Sequence, residues 1–181
     1  MFARIGVLLA LFLAATPAFT ASAPIQTGDL ATRGLSAKDF PRMTQLAPGV
    51  YSYEEAGPAD PPGLMTTNSL IVVSKDGVLV ADGQGNVAAV DKMIAEIKKL
   101  TAQPIKYVVI CSEHGDHTAG NSAFKAAYPD AVFIASPASQ KALAQDKVPP
   151  TETVADKRAI DLGGIEVDIL NLGREIGRAH V

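Results

Sequence analysis

Between residues 68 and 111 the pattern of apolar residues changes twice, and this restricts the fold more than any other feature of the chain. Asn68-Ser69-Leu70-Ile71-Val72-Val73-Ser74 and Val78-Leu79-Val80-Ala81-Asp82-Gly83 are short apolar runs joined by Lys75-Asp76-Gly77. They read as two strands with a tight turn between them. The spacing then becomes helical: Val90, Met93, Ile94, Ile97 and Leu100 form one stripe, with Asp91, Lys92, Glu96, Lys98 and Lys99 mostly off it. Ile105-Lys106-Tyr107-Val108-Val109-Ile110-Cys111 returns to a buried strand. Hairpin, helix and strand in this order predict an α/β fold.

That last strand leads directly into Cys111-Ser112-Glu113-His114-Gly115-Asp116-His117-Thr118-Ala119-Gly120-Asn121, which holds two of the chain's three histidines with an aspartate between them. Neutral imidazoles and a carboxylate are the donor set that zinc, iron or manganese accepts, and an abrupt exit from a strand lets residues one to three apart point into one cavity. The segment resembles the signature of the metallo-β-lactamase superfamily, H-x-H-x-D-H followed by a short Gly-Asn stretch. This chain reads S-E-H-G-D-H-T-A-G-N, so His114, Asp116 and His117 match three of the four motif positions, and Ser112 stands where the first histidine would be.

The resemblance implies an αββα sandwich, of which residues 44–174 form the N-terminal half and a little more. It also implies two metal positions, with Ser112 and His114 at the first and Asp116 and His117 at the second. The expected metal ligands are therefore His114, Asp116 and His117, holding one or two zinc ions, with iron or manganese as alternatives. A serine hydroxyl is a weak donor beside imidazole, so a single ion should prefer the second position. The implied activity is that of a hydrolase that turns a metal-bound hydroxide on a carbonyl, ester, lactone, thioester or β-lactam bond of a small-molecule substrate. Asp116 would be ligand and orienter of the attacking water, and His114 a partial ligand or a hydrogen-bond donor to that water. The alternatives are a non-catalytic periplasmic binding or accessory protein with a degenerate metal site, or an inactive fragment. Asp82 resembles the buried aspartate that braces the metal loop in such folds; a plain turn residue before Gly83-Gln84-Gly85 is the other reading.

The ends of the chain carry signals of a different kind. Met1-Phe2-Ala3-Arg4 is basic, Ile5–Ala15 is an apolar run of secretory length, and Ala21-Ser22-Ala23 offers small residues for cleavage. Residues 1–23 therefore read as a signal peptide to the periplasm or exterior, with no stable membrane association after cleavage; a retained anchor is the alternative. Residues 24–43, rich in Ala, Thr, Ser and Gly, read as an extended segment. At the other end, Ile176-Gly177-Arg178-Ala179-His180-Val181 is what a common sequencing adapter encodes in one frame, so residues 175–181 are expected to be an assembly artefact and His180 is not counted as a ligand.

Within the folded part, 48% hydrophobic residues in a chain of 181 suffice for a core. Sixteen Lys and Arg against nineteen Asp and Glu give a net charge of -3 without a basic cluster, which argues against a nucleic-acid partner. A single cysteine excludes an internal disulfide. At the end of its strand, Cys111 reads as a small core residue, with metal ligation as the minority alternative. Gly57–Gly63 reads as a loop from its Pro and Gly content, either reaching over a metal cleft or simply connecting strands. Beyond the motif a short helix is expected at 122–127, a strand at 131–135, a helix from Pro137 to Gln145, and a hairpin of 157–162 with 165–170.

Overall fold

The computed structural model describes residues 30–59 and 63–173; the signal-peptide reading at 1–23 and the adapter-like 175–181 lie outside them. In chain order the strands and helices are β1 (Arg42–Ala47), β2 (Val50–Ala59), β3 (Gly63–Ser74), β4 (Gly77–Ala81), α1 (Val87–Leu100), β5 (Ile105–Ile110), α2 (Gly115–Thr118), α3 (Asn121–Ala127), β6 (Val132–Ala135), α4 (Pro137–Ala142), β7 (Glu152–Thr153), β8 (Lys157–Asp161) and β9 (Glu166–Leu170). The strands β1 to β7 form one sheet in sequence order. Pairs up to β3–β4 are antiparallel and pairs from β4–β5 onward are parallel. A separate antiparallel hairpin is made by β8 and β9.

The central strands are apolar on both faces, which is what a sheet covered on both sides requires. On one face Ile71, Val78, Val80, Val108, Ile110, Phe133 and Ala135 pack against Val90, Met93, Ile94 and Ile97 of α1 and Ala123 and Phe124 of α3. On the other, Val72, Leu79, Val109 and Ile134 pack against Val154, Ile160 and Leu162, with Ile165, Val167 and Ile169 of the hairpin beside them. The layers are thus helix, sheet and second sheet, three of the four layers of an αββα sandwich. The first helix begins where Asn86 Oδ1 accepts the Ala89 N–H at 2.9 Å, and it ends on Lys98 and Lys99, which complement the helix dipole. Leu100, placed on the buried stripe by its spacing, is 40% exposed because the helix ends there.

Two expectations need correction. Residues 30–43 are not a loose extension. Leu30 is buried, Ser36 N–H donates to Asp39 Oδ2 at 2.8 Å across a single 3-10 turn, and β1 already starts at Arg42. What holds this strap is Glu54 of β2, buried and paired with Arg33 Nη2 at 2.6 Å and Arg42 Nε at 3.2 Å. The folded unit therefore begins before residue 44. The Pro- and Gly-rich stretch around Gly57–Gly63 is mostly strand, since β2 and β3 stay paired out to Ala59↔Gly63. Finally, β7 adds a two-residue edge strand that the sequence did not announce.

One consequence of the register positions the site. Strand β4 pairs only with Leu70–Ser74 of β3, so the stretch of β3 before Leu70 projects past the carboxyl end of β4. That end, with the carboxyl end of β5 beside it, is where ligands sit in open α/β sheets.

Candidate functional site

Asp82 follows directly on β4 and adopts φ 61°, the left-handed region that a short polar side chain tolerates better than most. This conformation turns its buried carboxylate back across the end of β5. Oδ1 accepts the Cys111 N–H at 2.7 Å, and Oδ2 lies 2.9 Å from His117 Nδ1. Its own N–H donates to Val109 O at 2.8 Å, and the next residue's, Gly83 N–H, to His117 O at 2.9 Å. One residue thereby fastens the end of β4 to the end of β5 and to the single-turn helix α2.

The packing leaves no slack here. A β-carbon on Gly83 would lie 2.5 Å from Asn121 Oδ1 and 2.9 Å from His117 O; one on Gly120 would lie 2.6 Å from Asn86 O and 2.9 Å from Gln84 O. Gly120 N–H donates to that same Gln84 O at 2.9 Å. Gly120 and Asn121 shape the turn into α3, and Asn121 Oδ1 is buried without a hydrogen-bond partner.

When Nδ1 carries a proton toward Asp82 Oδ2 and the ring is neutral, Nε2 is the nitrogen left to ligate a metal. That atom lies 3.5 Å from Asp116 Oδ2. Two ligands of a tetrahedral zinc with bonds of 2.0–2.1 Å stand about 3.3 Å apart. The Asp116–His117 pair therefore fits two positions of one ion, with a carboxylate behind the imidazole as metal-binding histidines commonly have.

The other motif residues are arranged differently. His114 caps α2 in an extended conformation (φ -67°, ψ 151°), and its carbonyl accepts from His117 N–H and Thr118 Oγ1, both at 3.0 Å. Ser112 is buried, and its hydroxyl accepts the His114 N–H at 3.4 Å. Among the described residues no group of three or more His, Cys, Asp and Glu is placed to hold a metal ion. The structure thus brings together two of the three sequence-predicted ligands, Asp116 and His117, without grouping His114 with them. Cys111 is exposed rather than buried in the core, because β5 ends at Ile110 and the strand alternation stops with it. Glu113 turns to the opposite side, where Ser139 Oγ donates to its Oε2 at 3.3 Å on the rim of an open cavity of about 1060 Å³ floored by Val109, Ile134, Val154 and Ile169.

Sequence reasoning missed Gln84. Its side chain is wholly buried, accepting from Thr67 Oγ1 and donating from Nε2 to Ser69 Oγ at 2.8 Å. A polar residue between two glycines signals a turn and says nothing of burial.

No protein-family model and no curated protein matches the chain. Solved structures do. A metallo-β-lactamase from Pontibacter korlensis matches with a TM-score of 0.63 at 20% identity, over 70% of this chain and 58% of that one. A metallo-β-lactamase from Hirschia baltica matches at 0.57 and 20%, over 66% and 56%. The metallo-β-lactamase FIM-1 from Pseudomonas aeruginosa, in its mono-zinc form, matches at 0.57 and 19%, over 68% and 55%. This chain spans less than three fifths of the length of each. Taken with the helix, sheet and second-sheet layers and the motif loop at the strand ends, these likenesses give the chain the metallo-β-lactamase fold.

Proposed function

We propose that this protein is an exported metal-dependent hydrolase in which Asp116 and His117 supply two ligands to a zinc ion. The observation that carries this reading is the 3.5 Å approach of Asp116 Oδ2 to His117 Nε2, with Asp82 holding the other imidazole nitrogen at 2.9 Å. A divalent ion bound there supplies a Lewis acid and acidifies a water toward neutral pH, which is the chemistry for hydrolysing carbonyl, ester, lactone, thioester or β-lactam bonds. The chain's own part is to prepare the donors. Asp82 holds Nδ1 at 2.9 Å, so the ring turns Nε2 toward Asp116. Asp116, whose side chain is 43% exposed, has a carboxylate open to solvent that can orient a water as well as bind.

The similar solved structures are metallo-β-lactamases, so a chromogenic β-lactam is the first small-molecule substrate to test, beside a lactone and a thioester. The dialysed protein should retain zinc, and Asp116→Ala and His117→Ala should lose it together with turnover. Retention of equal zinc by both variants would overturn the assignment. One observation favours a second reading: Ser112, at the position of a motif histidine, is buried and bonded to backbone. On that reading the protein is a non-catalytic binding or accessory protein with a degenerate site, and zinc binding without turnover of any substrate on the panel decides for it.

A further inference from the structure

We propose that Gln84 is a positioning residue of the Asp116–His117 site, its buried carboxamide locking the turn that seats His117 to the projecting end of the β2–β3 hairpin. The inference rests on the reading of Asp116 and His117 as a ligand pair. Gln84 is 0% exposed, and a wholly buried amide is retained at a cost unless both its donor and its acceptor are used. Here both are. Oε1 accepts from Thr67 Oγ1, Nε2 donates to Ser69 Oγ at 2.8 Å, and the Ser69 hydroxyl, itself buried, donates onward to Gly83 O at 3.4 Å. The hydrogen bonds run in one direction, from the Gln84 side chain through Ser69 back to the backbone one residue earlier.

The same two residues hold the ligand turn on their other side. Gly83 N–H reaches His117 O, and Gln84 O receives Gly120 N–H, each at 2.9 Å. The dipeptide Gly83-Gln84 is thus fixed to β3 through side chains and to both ends of the 117–120 turn through backbone. Because neither Gly83 nor Gly120 leaves room for a β-carbon, a shift of this dipeptide must move the backbone that carries His117. Thr67 and Ser69 both precede Leu70, the first β3 residue paired with β4, so the carboxamide grips the hairpin where it leaves the sheet. A leucine would fill the same space by packing alone, but it would leave the turn tied to the hairpin only through the long Ser69 Oγ to Gly83 O bond and deprive the Thr67 hydroxyl of its acceptor.

The test reads the His117 imidazole in the metal-free full chain by long-range proton–nitrogen NMR, followed by titration with zinc chloride. The wild type should show one ordered His117 ring, its Nδ1–H protected from exchange and its Nε2 signal shifting as zinc is added. In Gln84→Leu the protection should fall, the ring signals should broaden, and about tenfold more zinc should be needed to reach the midpoint, in the range seen when groups behind a ligand are lost. A folded Gln84→Leu chain with a lowered melting temperature but the wild-type His117 spectrum and zinc midpoint would reduce Gln84 to a packing role and overturn the proposal. If Gln84→Leu does not fold, Thr67→Val removes one end of the same link and is read by the same two outcomes. Asp82→Asn serves as the reference. If it leaves His117 unchanged, and the wild type shows no protonated Nδ1, the ligand-pair reading itself has failed and this proposal falls with it.

Discussion

Replacing Asp82 by asparagine isolates the part of the site that the structure defines best. Asparagine keeps the size of the side chain and tolerates the positive φ of 61°, whereas alanine would add about 1 kcal/mol of left-handed strain and mix two effects. The native carboxylate accepts the Cys111 N–H through Oδ1 and holds His117 Nδ1 at 2.9 Å through Oδ2. Asparagine has one acceptor and one donor. Its carbonyl will serve the Cys111 backbone, which cannot move its proton, and the NH2 will then face His117 Nδ1. The imidazole answers by carrying its proton on Nε2, the atom that faces Asp116, and a protonated Nε2 cannot ligate. Loss of a hydrogen bond to a charged group costs about 1.5–3 kcal/mol. Because the His117 side chain is 31% exposed, water recovers part of this, and about 1–2 kcal/mol should remain. Zinc affinity should fall about 10- to 100-fold, more than the stability loss suggests, since the tautomer has changed. Urea unfolding of the metal-free chain gives the first quantity, and competition with a chromophoric chelator gives the second. Zinc affinity within twofold of wild type, at the expected stability loss, would refute the claim that Asp82 orients the ligand.

Other consequences are measured more simply. Glu54→Ala leaves Arg33 and Arg42 without their shared partner and should cost about 1–3 kcal/mol, discounted because both guanidinium groups are partly exposed; limited trypsin digestion should then cut at Arg33 before the rest of the chain, and an unchanged digestion pattern would count against the strap. Tyr53 is held above the ordinary tyrosine range, first by burial and then by the Glu55 carboxylate. The folded state thus favours the neutral phenol, so this contribution to stability is complete below about pH 10 and is lost as the pH rises further. Ultraviolet titration should show Tyr53 ionising only together with unfolding, whereas in Tyr53→Phe that step should lose one phenolate. Ser112→His must fit an imidazole where a buried hydroxyl now sits and should cost about 1–3 kcal/mol by overpacking; a thermal midpoint equal to wild type would mean that the position is roomier than its burial indicates.

The hairpin, first helix and motif strand were legible in the sequence because their signals are local. Ile71 and Val80 face one core while Val72 and Leu79 face the other, and such doubly buried runs between turns read as central strands. The strap at 30–41 was not legible, since its anchor is a pairing of Arg33 with Glu54 across twenty-one positions. Alternation placed Cys111 inside only by extending the strand one residue past its last ladder position. For the ligands, spacing gave the residue types but not their directions. His114 has extended backbone at the helix cap, whereas Asp116 and His117 lie within the turn, so only the latter two side chains leave from helical backbone. The burial of Gln84 depends on Thr67 and Ser69 of another strand, which no local pattern reports.

Whether Asp116 and His117 are two ligands of one ion is decided by the zinc content and affinity of the dialysed protein beside Asp116→Ala and His117→Ala. The wild-type chain should hold about one zinc, and each variant should lose affinity beyond 100-fold, exceeding what removal of a group behind a ligand produces. Two firmly held ions in the wild type, or affinity in either variant equal to wild type, would contradict the assignment.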